Sequence, residues 1–242
     1  KVRLTGGEPL VRSDIDLLVG MLAKIAGIND LTLTTNGFLL AQKARTLKEA
    51  GLHRVTVSLD SLEDDVFKKM SGRGYSVKQV LEGIRLAEEV GLLPIKINVV
   101  VQRGVNDHTI VDLARHFRGT GQVVRFIEFM DVGNLNNWRM DKVVPSAEVI
   151  EHIDSVFPLE PLDPSYASEV AKRYRYKDGG GEIGIISSVT MPFCGDCTRI
   201  RISPEGKLVT CLFASTGLDL REPLRKGYND EQLEEIVEKV WL

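Results

Sequence analysis

The stretch Leu31-Thr32-Leu33-Thr34-Thr35, then the amphipathic run Leu39 to Ala50, then Val55-Thr56-Val57-Ser58-Leu59 and a second amphipathic run from Val77 to Val90, decides the fold. Short apolar strands alternating with helices build a parallel sheet with its helices outside. Working outward, Val2 to Thr5 precedes a helix over Ile15 to Ile25. Downstream come Ile95 to Val101, a helix from about Asn106 to Phe117, and Val123 to Phe129. Pro94 is compatible with the fourth strand because a first strand residue need not donate to the ladder. The rhythm breaks at the Asn-rich run Asp131 to Trp138, so a first region is expected over 1–130 and a second over 131–242. In the second, a helix over Ser146 to Val156 and a proline- and glycine-rich passage lead to strand-like runs at Ile183 to Val189, Thr198 to Ile202 and Lys207 to Leu212. These read as hairpins, with Ser203-Pro204-Glu205-Gly206 turning between the last two.

With 242 residues, 43% hydrophobic and 27% charged, the chain is globular in composition. A formal net charge of −3 argues against nucleic acid or an anionic membrane as a partner. No apolar run approaches the ~18 residues that cross a bilayer, and no secretory leader pattern opens the chain, so a soluble, cytoplasmic protein is expected. The chain begins Lys1-Val2-Arg3 without an initiator Met and inside a strand-like run, from which a missing preceding piece is expected.

Working residues of parallel α/β folds lie at the C-terminal ends of strands. Gly6-Gly7-Glu8-Pro9, Thr34-Thr35-Asn36-Gly37, Ser58-Leu59-Asp60 and Glu128-Phe129-Met130 all fall there and imply one shared mouth. Singly, each is also an ordinary strand end, and Met130 alone is a core residue by pattern. Lys96 and Asn98 share a strand face, where a lysine calls for an anion. The three cysteines are too few and too clustered for a disulfide framework. Cys194-Gly195-Asp196-Cys197, with Cys211 at the end of the predicted hairpin, forms a three-thiol set suited to an iron–sulfur cluster with one open iron, or to zinc. A histidine completing a zinc site has no nearby candidate, since His53, His108, His116 and His152 lie far upstream. Arg199-Ile200-Arg201, taken as a strand, puts two guanidinium groups on one face, a phosphate-binding arrangement or a solvated pair.

Together, Arg3 to Leu10, Leu33 to Gly37, Val57 to Asp60, Lys96 to Val100, Arg125 to Asn134, Glu169 to Ala171 and Phe193 to Arg201 resemble signature stretches of the radical S-adenosylmethionine superfamily. Within it they resemble the branch that acts on GTP at the opening of molybdenum-cofactor synthesis. The resemblance implies an incomplete (βα)6 TIM-like barrel, with the last five βα units present, and a C-terminal α+β region closing its mouth. It implies that Gly7, Ser58 and Met130 contact S-adenosylmethionine, and that Arg3, Thr34, Lys96, Arg199, Ile200 and Arg201 contact GTP. It further implies that Cys194, Cys197 and Cys211 hold an auxiliary [4Fe–4S] cluster touching the guanine base. The activity implied is a lyase reaction, cyclising GTP between C3′ and C8 to (8S)-3′,8-cyclo-7,8-dihydroguanosine 5′-triphosphate. A downstream cyclic pyranopterin monophosphate synthase and a possible homodimer complete the implied partners. The superfamily's Cys-x-x-x-Cys-x-x-Cys motif does not occur in this chain, so the fragment alone is expected to form no radical. The rival readings are a peptide-modifying radical enzyme with an auxiliary cluster and a noncatalytic zinc- or nucleotide-binding module.

Overall fold

Strand β4 (Lys96–Val101) shows how the chain makes its sheet: Ile97, Val99 and Val101 are fully buried, while Lys96, Asn98 and Val100 between them are half-buried. Period-two alternation sends one face to the helices and leaves the other polar, and each buried aliphatic residue contributes about 1.5–3 kcal/mol. The computed structural model describes residues 1–131, 138–214 and 216–241. They fall into two compact units, Lys1–Met130 with Arg139–Pro192, and Asp131–Trp138 with Phe193–Leu242.

In the first unit β1 (Val2–Leu4), β2 (Leu31–Thr35), β3 (Arg54–Ser58), β4 and β5 (Val123–Glu128) pair in parallel in chain order. The helices between them are α1 (Ile15–Ala23), α2 (Leu40–Glu49), α3 (Asp64–Ser71), α4 (Val77–Glu89) and α5 (Ile110–Phe117). Local sequence sets their ends and faces. Ser76 and Gln79 form a reciprocal capping box at the start of α4, and Gly72 closes α3 at φ 63°. In α5 the buried residues Ile110, Leu113, Ala114 and Phe117 follow a one-faced helical period. The five strands and the helices α1, α2, α4 and α5 are where the sequence places them, while α3 is an additional helix between β3 and α4.

The units part at 130/131, but residues 139–192 return to the first unit, so the expected second region is shared between the two. After α6 (Ser146–Asp154), strands β6 (Leu159–Leu162), β7 (Lys172–Tyr176) and β8 (Glu182–Ile186) extend the same sheet, giving the order β1-β2-β3-β4-β5-β8-β7-β6. β8 is a sixth parallel strand, Val124 facing Ile183 and Ile127 facing Ile186, because Ile183 and Ile185 join the core of the first five. β7 and β6 follow antiparallel, and Pro161 is tolerated since β6 is the edge. Thus the run expected over Ile183 to Val189 enters the large sheet as far as Ile186, and its hairpin partner is β7.

In the second unit β9 (Arg201–Ile202), β10 (Lys207–Val209) and β11 (Leu218–Asp219) make a small antiparallel sheet, followed by α7 (Arg221–Arg225) and α8 (Asp230–Trp241). The turn over Ser203-Pro204-Glu205-Gly206 forms as expected, with Gly206 N–H donating to Ser203 O at 2.9 Å. The strand before it is shorter than predicted, so Arg199 lies outside it. Most of the Asn-rich run, residues 132–137, lies outside the described residues.

Candidate functional site

The polar face of the first unit carries cations in neighbouring strands. Arg3 on β1 donates through Nη1 to Thr34 Oγ1 at 2.9 Å and to Thr56 Oγ1 at 3.5 Å, which lays its guanidinium across β2 and β3. Lys96 is the register partner of Thr56, and Asn98 that of both Ser58 and Arg125. Arg125 Nε donates to Asn98 Oδ1 at 3.0 Å. Burial pushes Lys96 down to about 8, and the nearby charges of Arg125, Arg54 and Lys1 push the same way against Glu169. Burial also takes Arg125 down to about 10, with Arg3 and Arg54 adding to it. Below them Arg54 makes a bidentate pair with Asp30, at 2.9 and 2.7 Å, and Asp30 also accepts Lys1 at 3.0 Å. Such a like-charged column is suited to a polyanion, because an anion relieves the repulsion that the fold imposes. Arg3, Thr34 and Lys96 are therefore brought together. Arg125, Thr56 and Arg54 are site neighbours that sequence reading did not single out, although period-two alternation puts Thr56 on the face of Ser58.

At the C-terminal edge of the same sheet stand Gly7, Ser58 and Met130. Gly6 and Gly7 have φ of 85° and 46° with open space where a Cβ would stand, so backbone groups there are approachable. Glu8 is occupied internally: its carboxylate accepts Thr35 Oγ1 at 2.7 Å, Asn36 N–H at 2.7 Å and Leu10 N–H at 3.0 Å. It fastens the β1 exit to the β2 exit. Asp60 accepts Val100 N–H at 2.8 Å, and burial pushes its carboxyl up to about 6. Glu128 is buried at the end of β5 and accepts from Ser146 N–H and Oγ, Val189 N–H, and Thr190 N–H and Oγ1, all within 2.8 Å. Burial raises its carboxyl, and these bonds, led by Thr190, outweigh that and hold it below the ordinary range.

The second unit carries the cysteines, all three as free thiols, with Cys194 and Cys211 exposed and Cys197 half-exposed. Cys194–Asp196 is a short 3-10 turn, closed by Cys197 N–H donating to Cys194 O at 3.3 Å. The Cys197 thiol is held below its ordinary value, first by the backbone N–H of Arg199, then by the Arg199 side chain and the charges of Arg199 and Arg201. Cys211 has the same local arrangement, with Phe213 N–H donating to its Sγ at 3.4 Å. At Cys197 the N–H aimed at sulfur favours the thiolate that iron or zinc binds. Arg199 lies over the Phe193 ring at 5.0 Å, and Arg201 Nη1 is buried with no partner among the described residues. The two arginines therefore stand beside Cys197, though not as a strand pair. Among the described residues no three His, Cys, Asp or Glu side chains converge at metal-binding distance, so the thiols share a unit without being gathered on one point. The donor set fits a soft metal centre in kind. No helix among the described residues is long and apolar enough to cross a membrane.

Comparison with known proteins finds two families in succession along the chain. Residues 1–117 match the Radical SAM superfamily, and residues 122–242 match the family described as Molybdenum Cofactor Synthesis C. The chain is 56% identical to the GTP 3′,8-cyclase of Xanthomonas axonopodis pv. citri, over 94% of this chain and 68% of that protein. It is 51% identical to the GTP 3′,8-cyclase of Acidothermus cellulolyticus, over 100% of this chain and 68% of that protein. Among solved structures, Streptococcus suis SuiB bound to S-adenosylmethionine superimposes with a TM-score of 0.66 at 16% identity, covering 97% of this chain and 56% of that one, a likeness of fold. The mixed α/β fold with its large parallel sheet, and identity at this level over nearly all its residues, establish that the chain belongs to the GTP 3′,8-cyclase family within the radical SAM superfamily.

Proposed function

We propose that the protein to which this chain belongs is a GTP 3′,8-cyclase, a lyase that joins C3′ to C8 of GTP at the start of molybdenum-cofactor synthesis. The observation that carries this reading is the cation column of Arg3, Lys96 and Arg125, held open by Thr34 and Asn98 on the polar face of the sheet. It supplies guanidinium and ammonium donors suited to a triphosphate, where a peptide substrate would need apolar side-chain pockets. The parallel strands β1 to β5 are, in this reading, the strands of the last five βα units of an incomplete (βα)6 barrel. Gly7, with its approachable backbone, and Ser58 and Met130 at the strand ends bind S-adenosylmethionine. That cofactor, when bound beside a reduced iron–sulfur cluster, supplies a hydrogen-abstracting 5′-deoxyadenosyl radical. In the first unit Arg3, Thr34 and Lys96 are the GTP-binding residues of this reading, and in the second unit Arg199, Ile200 and Arg201. Cys194, Cys197 and Cys211 hold an auxiliary [4Fe–4S] cluster, with one iron left for the base. The product goes to a cyclic pyranopterin monophosphate synthase, and the enzyme acts in the cytoplasm, as a homodimer or a monomer.

Calorimetric titration of GTP into anaerobically reconstituted protein tests this. Wild-type protein is expected to bind GTP, and Lys96→Met to bind it about 10–100-fold more weakly, the loss of one charge-assisted phosphate contact. A protein that binds no GTP, or binds it equally with Met at 96, overturns the assignment in favour of a peptide-modifying enzyme.

A further inference from the structure

The second unit has almost no apolar core of its own. Of its described residues, Leu208 is the one hydrophobic side chain that is buried, whereas Ile202, Phe213 and Leu224 are 66%, 55% and 61% exposed. Ile202, Leu220, Leu224, Leu233 and Val237 line an open groove of about 500 Å³ instead of interdigitating. Its sheet consists of three strands of two or three residues. Ordering about fifty residues costs conformational entropy far beyond what one buried leucine offsets, and small domains in that position are commonly held by disulfides or metal. Disulfide pairing is not used, since all three cysteines are free.

The cysteines sit where a staple has most effect. Cys194 and Cys197 lie a few residues before β9 and Cys211 two residues after the end of β10, so a centre that takes all three closes a loop around the hairpin and restricts the unfolded chain. Both ends are shaped for sulfur: the turn over Cys194–Asp196, and the Phe213 N–H aimed at Cys211 Sγ. We infer that the metal centre held by Cys194, Cys197 and Cys211 is the element that keeps the second unit folded, its residues ordering when the centre binds. The inference rests on reading these cysteines as ligands, and gives the centre a structural task in addition to its contact with substrate.

Hydrogen exchange followed by mass spectrometry tests it on the whole chain, comparing anaerobically reconstituted iron–sulfur protein with protein stripped by chelator. Amides of β9, β10 and α8 are expected to exchange about 100-fold more slowly in the loaded protein, while β2 to β5 are unchanged and serve as an internal control. In Cys211→Ser the difference is expected to vanish without any change in β2 to β5. Loaded protein that binds GTP yet exchanges at the stripped rate throughout 193–241 overturns the structural role and leaves the cyclase reading standing. Protein that takes up zinc in place of iron, gains the same protection and binds no GTP supports the structural role while removing the cyclase reading.

Discussion

Lys96 carries a charge that the folded chain opposes and that the proposed function gives to the nucleotide. Its folded value near 8 lies below the ordinary 10.5, so between the two the unfolded chain holds a proton that the folded chain has released. Stability from this residue therefore rises with pH from about 8 towards 10.5, and below about 8 the charged ammonium opposes folding to a constant extent. Lys96→Met is expected to raise the melting temperature at pH 7 and to flatten its rise above pH 8, read by thermal denaturation across that range, while weakening GTP binding. Glu8 gives the opposite case, a charged group whose bonds all serve the fold. Glu8→Ala is expected to cost about 2–3 kcal/mol in urea denaturation, since three donors lose a charged acceptor, and Glu8→Gln less. Arg3, Thr34 and Lys96 were legible in the sequence because signature stretches and strand alternation mark them. Arg54 was not, because its environment is made by Asp30 from the preceding loop and by Lys96 and Arg125 from other strands, and no local pattern encodes that.

Strands β1 to β5 could be read from the sequence because each is a short apolar run separated from the next by a helical period. The place of β8 could not, since Ile183 to Ile186 reads equally well as half of an isolated hairpin, and only the unpaired edge of β5 decides otherwise. Glu128 fixes that choice at the element scale. Its carboxylate binds the start of α6 and the segment that leaves β8, so it aligns two elements far apart in sequence against the end of β5. Glu128→Ala is expected to destabilise by about 3–5 kcal/mol, because buried donors are left without an acceptor. Its folded value lies below the ordinary carboxylate value, so its stabilisation is complete above that ordinary value and is lost as pH falls through the folded one. Chemical denaturation followed downwards from pH 7 is expected to show the gap between wild type and variant narrowing only below the ordinary carboxylate value.

At the scale of the whole molecule, the two units differ in what sustains them. Residues 1–192 contain nearly all the buried apolar residues, and expressed alone they are expected to unfold in one cooperative transition, measured by circular dichroism against urea. A featureless, gradual transition would show that the remaining residues are needed for the sheet. The thiol turns were legible from cysteine spacing, whereas the poverty of the core around them was not, because residues 193–241 carry a normal share of apolar types and only the structure shows them unburied.

The junction between the two matched families, residues 118–121, falls between α5 and β5. Yet β5 lies between β4 and β8 in a continuous sheet. A gene cut at this junction would yield two polypeptides, each ending in an open ladder of hydrogen-bonding groups complementary to the other's, β4 on one and β5 on the other. Neither piece is then a portable module for recombination with foreign partners. Produced together, the two are expected to find each other and rebuild the sheet as a split protein, so the seam that separates the families in sequence is the line along which the fold would heal.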